Sequence, residues 1–414
     1  MGIKALQSRK PHRLGYRHVL PLALLTSLAA GSVQAGLQPL SDEEMASVTG
    51  QAFVTVDRQY HPNASNNTSY TRINLGMDIE LQTNVDTLEL GRYERAGEAA
   101  GTSDILINNF ALGYIQNQAY FQRNPNAARQ MKPDGSAYAE GDIVPFMISN
   151  PFFELAYDEV SDEIIGVRIG FGEAMGILSG DIQRLTGDIN VNIKATGQDL
   201  ESASSSGNFF DQIIVSLAPY LVGSNAIRSR AALVYGSPGH PQLGELDPVR
   251  ATHAGVPNGE TFVVENVDGF TTTLIRFAGA FSSSQVTTDA TCFLGICGSG
   301  NVYIHANDCQ ILGIQACFPL TQFQSLPIGT IADVGGERRL IAPESGLFIS
   351  FQTQEVEWLK DVALTNPAAS DFIRATTGGF FNIPAGSVEF SLLEALNGID
   401  RYRSEYIDRG LGLF

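Results

Sequence analysis

Cys292, Cys297, Cys309 and Cys317, with His305 among them, bring the chain's only four sulfhydryls into one stretch, residues 292–317. Thiolates and an imidazole suit zinc, but no CxxC pair is present, and gaps of four and seven intervening residues do not fit a zinc ribbon. In an oxidising compartment the same residues form two disulfides, each clamping a loop, and sequence alone leaves the three possible pairings open. Asp158, Glu159, Asp162 and Glu163 offer a second set, the paired carboxylates of glycoside chemistry or a calcium site. With 44 acidic residues in the chain, density alone accounts for such a run, it matches no EF-hand loop, and a solvated turn explains it. His61, His240, His253 and His305 stand in no motif that pairs them with a base or nucleophile. The GxSxG elbow and the GxxxxGK[ST] loop are missing, and Gly170 and Gly172 are followed by Met175 where a GxGxxG loop needs its third glycine. No residue is therefore assigned to catalysis, to a cofactor or to a metal.

Which compartment holds the cysteines is read from the front of the chain. Lys4, Arg9, Lys10, Arg13 and Arg17 form a basic segment without an acidic side chain, and the apolar run Leu20 to Ala30 follows. Ser32-Val33-Gln34-Ala35 then presents small residues to a signal peptidase, so residues 1–35 read as a secretory signal cleaved between Ala35 and Gly36. Export is expected, to the cell surface or medium or to the periplasm. No segment of the mature chain has the unbroken apolar length of a transmembrane helix, so a spanning protein would have to be a barrel. Counting back by twos from Phe414 gives Gly412, Gly410 and Asp408, a poor lipid-facing stripe for an outer-membrane strand.

The charge narrows the partners. The whole chain carries a net charge of −18, and the leader holds five of its 26 basic residues and none of the acidic ones. A chain this acidic is repelled by phosphate backbones and by anionic headgroups, which excludes nucleic acid and electrostatic membrane docking. Protein partners or self-association remain. With 43% hydrophobic residues, it can bury a large core.

The elements that would position these residues are mostly strands. Ile73, Leu75, Met77, Ile79 and Leu81 alternate with polar residues or glycine, which places the apolar set on one face of a strand. The same alternation recurs at Phe110–Tyr114, Ile165–Phe171, Ile189–Ile193, Ile213–Leu217, Leu347–Phe351 and Val388–Leu392. Such one-sided alternation predicts antiparallel sheets, in a sandwich or stacked arrangement. One short helix is expected at residues 36–50, where Ser41 caps, Glu44 reciprocates, Leu40 and Met45 form a staple, and Gly50 ends the turn after Val48. It is a candidate docking element. Turns are expected at Pro133-Asp134-Gly135 and Asp268-Gly269. Leu178-Ser179-Gly180-Asp181-Ile182 and Leu185-Thr186-Gly187-Asp188-Ile189 read as two successive strand–turn units. Thr196 to Asn208 reads as a Ser/Gly-rich loop. Residues 236–259 are rich in Pro and Gly and read as a loop or boundary between an N-terminal β region, 51–235, and a C-terminal one, 260–414, which holds the disulfide-pinned loop.

The segment from Leu40 to Gln51 directly after a signal peptide resembles the opening of exported, FilA-like pilus-system proteins of Gram-negative bacteria. Asn150-Pro151-Phe152-Phe153-Glu154, the twin Leu-Ser/Thr-Gly-Asp-Ile units, Asn382-Ile383-Pro384-Ala385-Gly386 and Ala395-Leu396-Asn397-Gly398 are similar in character. The resemblance implies surface or filament association rather than catalysis. The expectation is thus an exported structural, adhesive or filament-associated β protein working through strand edges and the pinned loop. Its alternatives are an exported glycan-directed enzyme using a carboxylate pair and an outer-membrane barrel.

Overall fold

The computed structural model describes residues 54–95, 97–223 and 226–405. The cleavage site at Ala35 and Gly36 and the capped helix of Leu40, Ser41, Glu44, Met45, Val48 and Gly50 lie outside the described residues. Within them the chain is mainly β and its strands pair mostly antiparallel, as the alternation predicts.

The main path of the largest sheet, which has eleven strands, is β1 (Val54–Tyr60), β2 (Thr68–Leu75), β3 (Phe146–Asp158), β4 (Glu163–Arg184), β5 (Phe348–Gln352), β6 (Gly378–Ile383) and a short strand Gly187–Ile189. β1 forms one edge, and among the described residues the path is open rather than closed into a barrel. The 22-residue β4 organises the molecule. Its first half lies between β3 and β5, and its second half lies between Ser103–Leu112 and Ser325–Ile328. The handover comes at Gly176, where φ is 148° and an added Cβ would stand 2.8 Å from the Phe146 ring, so a side chain is excluded on both counts.

A second sheet, of eight strands, runs Val286–Thr288, Gly300–His305, Thr261–Val267, Ile227–Val234, Val191–Ala195 and Glu389–Ser391 along its main path. Ile105, Phe146 and Ile182 of the first sheet share one buried cluster with Ile193, Val264, Ile304 and Phe390 of the second. Strands before and after residues 236–259 pair with each other: Ile227–Val234 with Thr261–Val267, Val191–Ala195 with Glu389–Ser391, and β4 with β5. The Pro/Gly-rich segment is itself tied in. Its strand His253–Gly255 lies between Ile227–Val234 and Cys317–Pro319, and Ala251 exchanges backbone hydrogen bonds with Leu185.

Five helices are described: α1 (Gln118–Arg123), α2 (Gly197–Glu201), α3 (Phe209–Leu221), α4 (Gly269–Gly279) and α5 (Leu392–Asn397). Five of the sequence expectations are corrected by them and by β4. Ile213, Val215 and Leu217 belong to α3 rather than to a strand: Asn208 and Asp211 form a capping box, and the buried set Asp211, Ile214, Val215 and Ala218 has helical spacing. The Ser/Gly-rich stretch from Thr196 contains α2, capped by Thr196 itself. Asp268-Gly269 is a helix start, because the Asp268 carboxylate accepts from the Phe270 and Thr271 amides. The first Leu-Ser-Gly-Asp-Ile unit has no turn. It lies inside β4, where the register shifts between Ser179 and Asp181 and a Cβ on Gly180 would meet Ile107 at 2.3 Å, so the glycine serves a bulge. Leu392, read as strand, begins α5.

Candidate functional site

Cross-strand register assigns the two faces of the large sheet opposite fates. One row runs Arg72, Glu154, Arg168, Ser350, Phe380 across β2 to β6 and is buried. The hairpin of Val356–Leu359 and Phe372–Ala375 supplies Val356, Trp358 and Phe372 to the core on that side, with Tyr70, Phe348 and Phe380. On the other face the neighbouring row runs Val56, Ile73, Phe153, Ile169, Ile349 across β1 to β5. Val56, Phe153 and Ile169 are exposed there, as are Val54 and Phe351 on adjacent rows, while Ile73 and Ile349 are half-buried. At about 4.8 Å between strands, five strands make an apolar band roughly 20 Å across. β1, which closes this band, is exposed over almost its whole length and, among the described residues, has no strand partner on its outer edge.

The cysteines pair in sequence order. Cys292 bonds Cys297 and Cys309 bonds Cys317, and no free cysteine remains. All four sulfurs are thus consumed, and the His305 imidazole sits 3.1 Å from the Thr287 hydroxyl, so the zinc alternative loses its thiolates. Each bridge closes a hairpin of the same design. Cys292–Phe293 pairs with Ile296–Cys297 around Leu294-Gly295, and Gln310–Ile311 pairs with Ile314–Gln315 around Leu312-Gly313. In both turns the leucine and the glycine have positive φ, the geometry of a two-residue type I′ turn. Their surroundings differ completely. Ile311, Leu312 and Ile314 are 1%, 0% and 2% exposed, and Phe293, Leu294 and Ile296 are 77%, 87% and 72% exposed.

The acidic run at the β3–β4 turn is engaged locally. Asp158 accepts from the Val160 amide and the Ser161 hydroxyl. Glu159 accepts from the Ser69 hydroxyl and pairs with Arg58; these two hydrogen bonds, Ser69 first, hold its carboxyl below the usual range, the wrong direction for a general acid. Asp158, Glu355 and Glu357 line a depression with Arg374 and Asn66, and His61 reaches Glu357 at 3.1 Å. The His61 Nδ1 accepts from the Asn63 amide, so its Nε2 carries the proton and faces Glu357, leaving neither nitrogen free to act as a base. The His240 Nδ1 accepts from the Gln242 amide, and the His253 Nδ1 lies 2.9 Å from the Thr252 hydroxyl.

Two carboxylates that sequence reasoning passed over are deeply buried. Glu154 is held between Arg72, at 2.9 Å, and Arg168, whose guanidinium also donates to the Leu359 carbonyl. Arg168 lies over the Phe152, Phe348 and Trp358 rings at about 5 Å, a cation–π cage that replaces part of its lost hydration. Burial pushes the Arg168 guanidinium down and Glu154 opposes it. Asp104 accepts from Arg250 at 2.9 Å, from Arg95 at 3.3 Å and from the Gly379 amide at 2.7 Å, which anchors the end of the Pro/Gly-rich segment to the start of β6. Both groups tie elements together and neither opens into a cleft lined by a second acid. Their partners lie too far apart in the chain for any local motif to have revealed them.

Residues 16–71 match a family of unknown function (DUF6160), a stretch that reaches only as far as β2. No curated protein and no solved structure matches the chain.

Proposed function

We propose that the chain is an exported, non-catalytic β protein that acts at the cell surface as a structural, adhesive or filament-associated component. The observation that carries this reading is the apolar band Val56–Ile73–Phe153–Ile169–Ile349, bounded by an edge of β1 that has no strand partner among the described residues. Over β1 to β4 the described residues leave this apolar face uncovered, while at β5 and β6 Ile349 and Phe381 pack into the main core; the uncovered part is a surface to give to another molecule, and an open edge accepts a strand from a neighbour. Two disulfides are compatible with export, and among the described residues no helix is long and apolar enough to cross a membrane. The engaged histidines and turn carboxylates support the non-catalytic part of the reading.

Two measurements test it together. Labelling of intact cells with a membrane-impermeant reagent is expected to modify the protein, and Val56→Lys with Ile169→Lys is expected to abolish its sedimentation in assemblies while the monomer stays folded. A protein that is labelled only after the outer envelope is permeabilised, or whose assembly state ignores both lysines, overturns the reading.

A further inference from the structure

The exposed hairpin does not stand alone. Its base is fixed to α4: the Cys297 amide donates to the Thr273 hydroxyl at 2.8 Å, and Arg276 reaches the Cys297 sulfur at 3.7 Å. α4 buries Thr271, Thr272, Ile275, Ala278 and Gly279 on one side, and on the other it exposes Phe270, Leu274 and Phe277 at helical spacing, continued by Phe281. Phe281 stacks on Phe210 at 4.9 Å, and Phe277 lies 5.6 Å from Phe281, so the stripe runs onto the start of α3 beside the exposed Phe209. α3 repeats the pattern, burying Ile214, Val215 and Ala218 and exposing Phe209, Leu217 and Tyr220. Two amphipathic helices with a second apolar face and one apolar finger thus form a continuous surface.

We infer that this surface docks on a zwitterionic lipid bilayer, with the Phe293-Leu294-Gly295-Ile296 finger inserted and α3 and α4 lying in the interface. Charge is the first argument. The chain carries 44 acidic residues, yet across residues 209–221, 269–281 and 292–298 the only ions are Asp211 and Arg276. Asp211 is buried against Ser282 and Ser283, and Asp268 at the rim is occupied in capping α4. Such a surface offers a protein partner few ion pairs to fix its orientation, whereas a lipid interface needs none. Size is the second argument. The finger extends two residues beyond its disulfide, about 7 Å, within the roughly 5–10 Å to which interfacial elements sink. The third is the choice of residue at the tip. Leu294 has φ 50°, where Asn, Asp or Gly is the unstrained choice and would also be the soluble one. The Cys309–Cys317 hairpin carries the same Leu-Gly-Ile turn and uses it to fill the chain's own core, with Ser205 and Ser284 hydrogen-bonded to the backbone of Leu312. Among the described residues the exposed copy has no such cover.

Flotation of the purified, oxidised protein with vesicles of phosphatidylcholine and phosphatidylethanolamine tests the assignment. The wild type is expected to float with the vesicles, with little effect of salt, because the contact is apolar. Phe293→Ser, Leu294→Asn and Ile296→Thr combined are expected to keep the native circular dichroism spectrum, since asparagine suits the left-handed position. They are expected to weaken partition by about tenfold or more for each apolar side chain removed. Phe270→Ser with Phe277→Ser, which leaves the finger intact, should weaken it separately. Wild type that stays in the aqueous layer overturns the proposal. So does a finger variant that floats as well as wild type, or one that converts a wild-type dimer to monomer with no change in flotation, the mark of a contact between copies.

Discussion

Glu154, like Asp104, is a buried carboxylate on which two guanidinium groups converge where water does not reach. Neutralising it leaves Arg72 and Arg168 facing each other without a counter-charge, and loss of one member of a buried ion pair typically costs about 3–5 kcal/mol. Glu154→Gln is therefore expected to lower stability by about that amount in urea unfolding, although the amide is the same size as the acid. Replacing all three residues with Met or Leu should cost much less than the single change, since no charge is then stranded. A smaller loss for Glu154→Gln than for the triple replacement would show that the cation–π contacts of Arg168, rather than Glu154, hold the group together. None of this is visible in the primary structure. Arg72, Glu154 and Arg168 become neighbours only through the β2–β3–β4 register, and a strand pattern that marks Glu154 as polar says it faces away from Phe153, not that it is buried.

Tyr114, Tyr120 and Tyr402 pack edge to face or tilted with Phe121 and pin the segment after α5 to α1. The Tyr402 hydroxyl donates to the Ala128 carbonyl at 2.7 Å, and the Tyr120 hydroxyl donates to the Asp400 carbonyl at 2.9 Å. Burial pushes all three phenols well above their usual range. A native pKa above the unfolded value means that the native state keeps the proton longer. The stabilisation is complete below the unfolded phenol pKa of about 10 and is lost as pH rises through and beyond it. Tyr402→Phe should cost about 1 kcal/mol at neutral pH through the lost hydrogen bond. It should also move the alkaline unfolding midpoint upward relative to its own neutral stability, as followed by near-ultraviolet circular dichroism against pH. An unchanged alkaline limb would remove this cluster as its cause. Alternation marks the strands in the sequence, but at Ile73 to Leu81 it spans two strands, Thr68–Leu75 and Asp78–Leu81, and in the first of them the polar row at Arg72 is the buried one. At Ile213 to Leu217 alternation misleads, because a helix with two apolar faces puts hydrophobic residues at period two as well as at period 3.6, and only the Asn208–Asp211 cap distinguishes the two. The disulfide partners stay open for a related reason: loops of four and of seven intervening residues both suit a bridge, and the pairing follows only when Leu294-Gly295 and Leu312-Gly313 are seen to be turns.

β4 gives the chain its cooperativity. It contacts strands drawn from residues 103–112, 146–158, 325–328 and 348–352, so neither half of the chain can complete the large sheet alone. The second sheet is divided in the same way, since Val191–Ala195 is flanked by Ile227–Val234 and by Glu389–Ser391, which lie on opposite sides of the Pro/Gly-rich segment. A polypeptide ending near residue 235 would lose the 348–352 partner along the first half of its β4 and the 325–328 partner along the second, with part of the shared core, and unpaired buried edges favour aggregation over folding. Residues 51–235 and 236–405 expressed separately are accordingly expected to lack native near-ultraviolet circular dichroism and to aggregate. Mixed during refolding, they should recover it, because the junction at 236–259 is held by Leu185–Ala251 and Asp104–Arg250 contacts that do not require an intact backbone. The uncut protein should unfold in one calorimetric transition. Two resolved transitions, or a fragment 51–235 that folds as a soluble monomer, would show that the long strand joins two independent units rather than building one.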